Sequence, residues 1–86
     1  MVEKVFTVKN PTGLHARPAT LLVQKASSFP CEITIVKGDK QVNAKSIMGI
    51  MSLGVRQGDE IKVVVNGENE DEALQAIGEI LESEHE

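Results

Sequence analysis

Residues 12–20 read TGLHARPAT. An imidazole, a guanidinium and a proline follow one another at His15, Arg17 and Pro18, where loop composition gives way to helical period. A helix starting near Ala16 places His15 close to the N-cap. The first N–H groups of a helix have no internal partner, and with the macrodipole they favour an anion. Pro18 fits a first turn, which needs no intrahelical donor there, while it biases Arg17 away from α geometry. Arg17 contributes a permanently charged planar fork suited to phosphate. The chemistry this predicts is nucleophilic. A neutral imidazole attacks phosphorus, and the positive surroundings hold the phosphoryl group that results. The same surroundings disfavour the imidazolium, so His15 is expected to titrate below an ordinary histidine. No carboxylate, second histidine or cysteine lies nearby in sequence to suggest a triad or a metal site. On these residues alone a structural or merely solvated histidine is equally open. His85, in the tail SEHE, reads as solvated.

A second stretch, KSIMGIMSLG at 45–54, reads as a short helix with Ser46 placed to cap it and Gly54 placed to close it. Ile47, Met48, Ile50, Met51 and Leu53 cannot all face inward from one short helix, so Met48 and Met51 are expected to be partly exposed. Leu21 lies off the apolar stripe of its own helix, one turn beyond Arg17, and is expected to be exposed too. Methionine adapts to varied partners, so these positions suit a docking patch. Packing in the core is the alternative for the methionines, and a plain cap is the alternative for Ser46.

The frame for these residues is small. The chain has 86 residues, a net charge of −4 and two phenylalanines as its only aromatics. That length supports one domain, 1–86, with a core of aliphatic residues. The acidic balance argues against nonspecific binding to nucleic acid or anionic membrane. The single cysteine, Cys31, rules out an internal disulfide and suits a reducing compartment. No signal peptide and no membrane span is read, so a cytoplasmic protein is expected.

The elements follow from periodicity. Segment 2–8 alternates, with Val2, Phe6 and Val8 on one face and Lys4 as an exception. Segment 16–27 carries Ala19, Leu22, Val23 and Ala26 at helical spacing and ends at SSFP. Segment 31–37 alternates with Cys31, Ile33 and Ile35 inward, Gly38-Asp39 reads as a hairpin turn, and a short strand returns over 40–44. After the helix at 45–54 and the turn QGDE comes a strand at 60–66 with Ile61, Val63 and Val65 on one face. The last helix, 70–83, has a stripe of Leu74, Ile77 and Leu81 flanked by Ala73 and Ile80, with Asn69 and Glu72 as a capping box. Gly78 inside it costs about 1 kcal/mol against alanine. The order β-α-β-β-α-β-α, with alternating strands, predicts an α/β (α+β) fold: an antiparallel sheet covered by helices on one face.

GLHARPAT and KSIMGIMSLG, in a domain of this size, resemble the histidine-containing phosphocarrier (HPr) proteins of the bacterial sugar phosphotransferase system, in their low-GC Gram-positive form. The resemblance spans essentially the whole chain. It implies an open-faced β-sandwich, a four-stranded antiparallel sheet under three helices. It implies a carrier without turnover of its own, neither an enzyme nor a cofactor or metal protein. His15 would accept a phosphoryl group on Nδ1 from phospho-enzyme I and pass it to enzyme IIA domains. Arg17 would steady the phosphate and Pro18 would shape the helix start. Thr20, Leu21, Gln24, Ile47, Met48 and Met51 would meet the partners. Ser46 would match the serine phosphorylated by HPr kinase/phosphorylase, after which the chain would bind the catabolite control repressor. Neither direct nucleic-acid binding nor membrane insertion is implied. A paralogous regulator shares the second motif but lacks the histidine. Because His15 is present, the carrier role is favoured over a purely regulatory one, and over a small-ligand-binding α/β module of similar appearance.

Overall fold

A computed structural model describes residues 1–11, 13 and 17–82, with the side chain of Arg17 left out. Seven elements run in the order β1 (Val2–Thr7), α1 (Arg17–Ser27), β2 (Glu32–Lys37), β3 (Lys40–Asn43), α2 (Ile47–Ser52), β4 (Glu60–Asn66) and α3 (Glu70–Leu81). The strands form one antiparallel sheet in the order β1-β4-β2-β3. Register follows from the alternation. Phe6 pairs with Ile61, Val2 with Val65, Ile33 with Val65 and Ile35 with Val63, which puts every apolar set on the same face. α3 packs on β1 and β4, α2 packs on β3, and α1 lies against both other helices. The opposite face carries Glu3, Val5, Thr34 and Lys62 and is open, with Val5 exposed. The expected open-faced architecture is therefore the one observed.

The core is Phe6, Val8, Leu22, Ile33, Ile35, Ile50, Ile61, Val63, Val65, Ile77 and Leu81 with smaller residues between them. Each large aliphatic side chain so buried contributes about 1.5–3 kcal/mol relative to exposure. Lys4 breaks the inward pattern of β1 because it is exposed at the sheet edge, where its ammonium sits 5.3 Å from the Phe6 ring centroid. Val23 is only partly buried, so the inward stripe of α1 is narrower than expected.

Three local expectations change. The buried stripe of α3 is Ala73, Ile77, Gly78 and Leu81, while Leu74 and Ile80 are only partly buried. Gly78 faces inward because the Phe6 ring occupies the place of a side chain: an added Cβ would overlap Phe6 Cε1 and Cζ. The capping box does not form. Asn69 is left-handed (φ 62°) and its side chain makes no capping bond. Instead, the carboxylate of Glu70 accepts from the Gly67 N–H at 3.1 Å and pairs with the Met1 ammonium. Those two donors hold its pKa below the usual carboxylate range, the Gly67 bond being the larger cause. α2 is shorter than 45–54, because Asn43 takes the N–H groups of Lys45 and Ser46 into a turn.

Candidate functional site

α1 starts at Arg17 and Pro18 is its second residue. The pyrrolidine ring is buried there, at a position where no intrahelical donor is needed. Leu14, His15 and Ala16 lie outside the described residues. The N-cap placement expected for His15 falls there too, as does the tail with His85. Residues 8–11 and 13, which lead toward them, are described, and they are strapped to the 55–59 turn and to the end of α3. Val8 donates to the Asp59 carbonyl at 2.9 Å and accepts from the Gly58 N–H at 2.7 Å. The Lys9 N–H donates to the carbonyl of Leu81, at the end of α3, at 3.0 Å. The Lys9 carbonyl accepts from Gln57 Nε2 at 3.2 Å. Asn10 is buried, and its carbonyl accepts from the Gly13 N–H at 2.9 Å.

Gly13 ends this segment in the left-handed region, at φ +67°. It lies flat against the backbone of residues 55–56. A Cβ there would overlap the Val55 carbonyl oxygen and stand 2.8 Å from Arg56 Cα. Glycine therefore meets two demands at once, the sign of φ and the close approach of two chains. QGDE is legible as a turn from its composition, but no local pattern marks what rests on it. Val55, Arg56, Gln57 and Asp59 are brought to this segment by the fold alone.

Ser46 occupies the N-cap of α2 with extended backbone, and its Oγ accepts from the Gly49 N–H at 3.2 Å. Gly54 follows the helix in the left-handed conformation, at φ +65°, as a closing residue should. From this helix Ile50 and Leu53 point into the core, whereas Met48 is 80% exposed, Met51 39% and Ile47 36%. Met48 and Met51 are thus exposed as expected. Ile47 joins them at the surface. Leu21 is 46% exposed on α1, and Thr20 and Gln24 are exposed beside it. Leu21 leans toward α3. With Gln24, Lys25, Ser28 and Ile80 it lines an open groove of about 400 Å³. α1 and α2 are packed neighbours, which places these exposed side chains on adjacent elements.

Among the described residues no group of three or more His, Cys, Asp and Glu could hold a metal ion. No helix among them is long and apolar enough to cross a membrane. Cys31 is a free, buried thiol at the start of β2.

Comparison with known proteins gives one answer. Residues 2–83 match the sequence profile described as the PTS HPr component phosphorylation site. The HPr-like protein Crh of Halalkalibacterium halodurans is 51% identical over 98% of this chain and 100% of its own length. The crystal structure of the phosphocarrier protein HPr from Bacillus anthracis superposes with a TM-score of 0.92 at 46% identity, covering 94% of this chain and 96% of that one. HPr-C-His from Thermoanaerobacter tengcongensis gives 0.91 at 53% identity, over 94% and 91% of the two chains. A strapped loop entering α1 and a serine-capped α2 thus sit in a sheet-and-helix frame that HPr structures share, and the chain belongs to the HPr family of phosphocarrier proteins of the phosphotransferase system.

Proposed function

We propose that His15 is the phosphoryl acceptor, charged by phospho-enzyme I and discharged to enzyme IIA domains, with 1–86 acting as one domain. The family's phosphocarrier proteins are not enzymes, so the reaction belongs to the partners and the chain supplies the nucleophile and the docking surface. The observation that carries the reading is the sequence His15-Ala16-Arg17-Pro18 at the entry to α1, with exposed apolar side chains on α1 and the neighbouring α2. In the transfer, an imidazole nitrogen forms a bond to phosphorus as the bond from phosphorus to enzyme I breaks. The reverse exchange takes place on enzyme IIA. Arg17 steadies the group on the chain. Incubation with enzyme I and phosphoenolpyruvate, followed by an enzyme IIA domain, should move label first onto this chain and then off it. Label that enters but never leaves would overturn the carrier reading.

The docking surface is assigned to Thr20, Leu21, Gln24, Ile47, Met48 and Met51. Met48→Asp is expected to weaken binding to enzyme I and to enzyme IIA together, each by about tenfold, the scale of a modest hot spot. Its melting temperature should stay unchanged, because Met48 is 80% exposed. Titration calorimetry with both partners, and a thermal melt, check this. A loss confined to one partner would contradict a shared surface.

A regulatory role for Ser46 is favoured by its exposed position at the α2 cap and by the 51% identity to an HPr-like protein named Crh. In this reading HPr kinase/phosphorylase phosphorylates Ser46 in the cytoplasm and the product binds the catabolite control repressor. Charge at a helix start is stabilising, whereas beside Ile47, Met48 and Met51 it burdens an apolar interface. Ser46→Asp retains an acceptor for the Gly49 N–H and adds charge, worth about 0.3–1 kcal/mol at a helix N-terminus. The expected result is an equal or slightly higher melting temperature with slower His15 phosphorylation. The slowing should shrink at high salt. A wild-type rate at low salt would remove the antagonism between the two positions.

A further inference from the structure

The turn on which Gly13 rests is itself held by an ion pair. Asp59 Oδ2 accepts from the Arg56 N–H at 2.9 Å and lies 3.1 Å from Lys37 Nζ. The same ammonium donates to the Gly54 carbonyl, just past α2, at 3.1 Å. Asp59 and Lys37 are each about two-thirds buried at the side chain, at 33% and 32% exposed. One carboxylate oxygen therefore ties β2 and the end of α2 to the backbone of Arg56. Arg56 is the residue whose Cα would stand 2.8 Å from a Cβ on Gly13. The carbonyl of Asp59 also accepts from Val8, and Gly58 and Gln57 hold Val8 and Lys9. The straps from the 55–59 turn to Val8, Lys9 and Gly13 thus start from a turn that the Asp59 carboxylate helps to hold. The two donors keep its carboxyl below the usual range, the Arg56 N–H being the larger cause.

We propose that Asp59, with Lys37, is a positioning residue for phosphoryl acceptance: it shapes the 55–59 turn that seats Gly13, two residues before His15. This rests on the carrier reading above. The link runs through backbone packing, so neither side chain need touch the phosphoryl group. The Asp59 N–H also donates to the Arg56 carbonyl at 3.1 Å, so the carboxylate adds a second bond to a turn that the backbone already closes, and this acceptor for the Arg56 N–H matters more than the ion pair. Asp59→Asn retains an acceptor and loses the charge, whereas Asp59→Ala loses both.

The test measures two quantities on full-length Asp59→Ala, Asp59→Asn and Lys37→Met. One is the midpoint of the His15 ring titration by NMR, with His85 as reference. The other is the initial rate of phosphorylation by enzyme I and phosphoenolpyruvate. Asp59→Ala should slow phosphorylation by about tenfold, the penalty of a fraction of an ångström of misplacement. Asp59→Asn, which keeps an acceptor for the Arg56 N–H and weakens only the Lys37 contact, should slow it by no more than about threefold. The titration separates positioning from simple charge. Removing a negative charge lowers any histidine midpoint that it acts on, whereas a displaced loop raises that of His15, because the depression expected from Arg17 and the helix start is lost. A raised midpoint in Asp59→Ala supports the proposal. A lowered or unchanged midpoint, or an Asn variant as slow as the Ala variant, overturns it. If Asp59→Ala does not fold, Lys37→Met carries the test. Its rate should fall about threefold, and the loss should persist at about 0.5 M salt, where charges are screened. An unchanged rate, or a loss that salt removes, overturns the proposal. Absence of label on the wild-type chain would instead strike the carrier reading and leave the titration result standing.

Discussion

Replacing His15 by alanine is expected to yield a folded protein that takes no phosphoryl group from enzyme I. The imidazole is the nucleophile, and nothing beside it in sequence can stand in. Alanine at position 16 has no reactive group, and a guanidinium at position 17 is not a nucleophile. The loss should reach the detection limit, about a thousandfold or more, as when a covalent catalytic nucleophile is removed. Stability should barely change, because the core is built from α1 onward and from the sheet, by Ala19, Leu22, Ala26 and the inward residues of the strands. A melting temperature within about 4 °C of wild type, less than about 1 kcal/mol for a domain of this size, checks that half of the prediction. Labelling with phosphoenolpyruvate and enzyme I checks the other. A folded variant that still takes full label would place the acceptor elsewhere.

Gly13→Val is expected to be the most damaging single change in the loop. Two costs combine there. A β-branched residue at φ +67° is strained, at about 1–3 kcal/mol, and its Cβ falls on the Val55 carbonyl and Arg56 Cα. Overpacking of that kind adds about 1–3 kcal/mol. A total of about 2–6 kcal/mol lowers the melting temperature by at least about 8 °C. Gly38→Val is the control. Gly38 also has positive φ, +59°, but no atom lies within 4 Å of its Cβ position, so only the backbone cost remains. Gly13→Val should therefore melt lower than Gly38→Val and also transfer more slowly. Equal melting temperatures would mean that the seat on residues 55–56 contributes nothing.

Much of the frame was legible because it depends on short-range rules. Alternation alone placed Ile33, Ile35, Ile61, Val63 and Val65 on one face, and all five are buried. Positive φ at Gly38 but not at Asp39 bears out a turn with glycine first between β2 and β3. Ser46 and Gly54 mark the two ends of α2 by side-chain and backbone chemistry that needs no tertiary partner. Failures came where a distant residue decided the outcome. Leu74 loses its place in the α3 stripe because Phe6, from β1, fills the space above Gly78. Asn69 does not cap because its backbone is left-handed where a capping residue is extended, and Glu70 reaches back to Gly67 instead. The same limit applied at the site. His15, Arg17 and Pro18 fall within four residues and could be read as a motif, and the exposure of Leu21, Met48 and Met51 followed from helical spacing. The platform of Val55, Arg56 and Asp59 lies some forty residues away from Gly13, and no local pattern pairs them.

The central claim is that phosphate resides on a nitrogen of His15 when the chain is charged by enzyme I. The direct measurement is the chemistry of the bond. After incubation with phosphoenolpyruvate and enzyme I, the labelled chain is divided between acid and alkali, and the labelled peptide is located by mass spectrometry under alkaline conditions. The account predicts label that is lost in acid, retained in alkali and confined to the peptide containing His15. Acid-stable label, or label on the peptide containing Ser46, would contradict it.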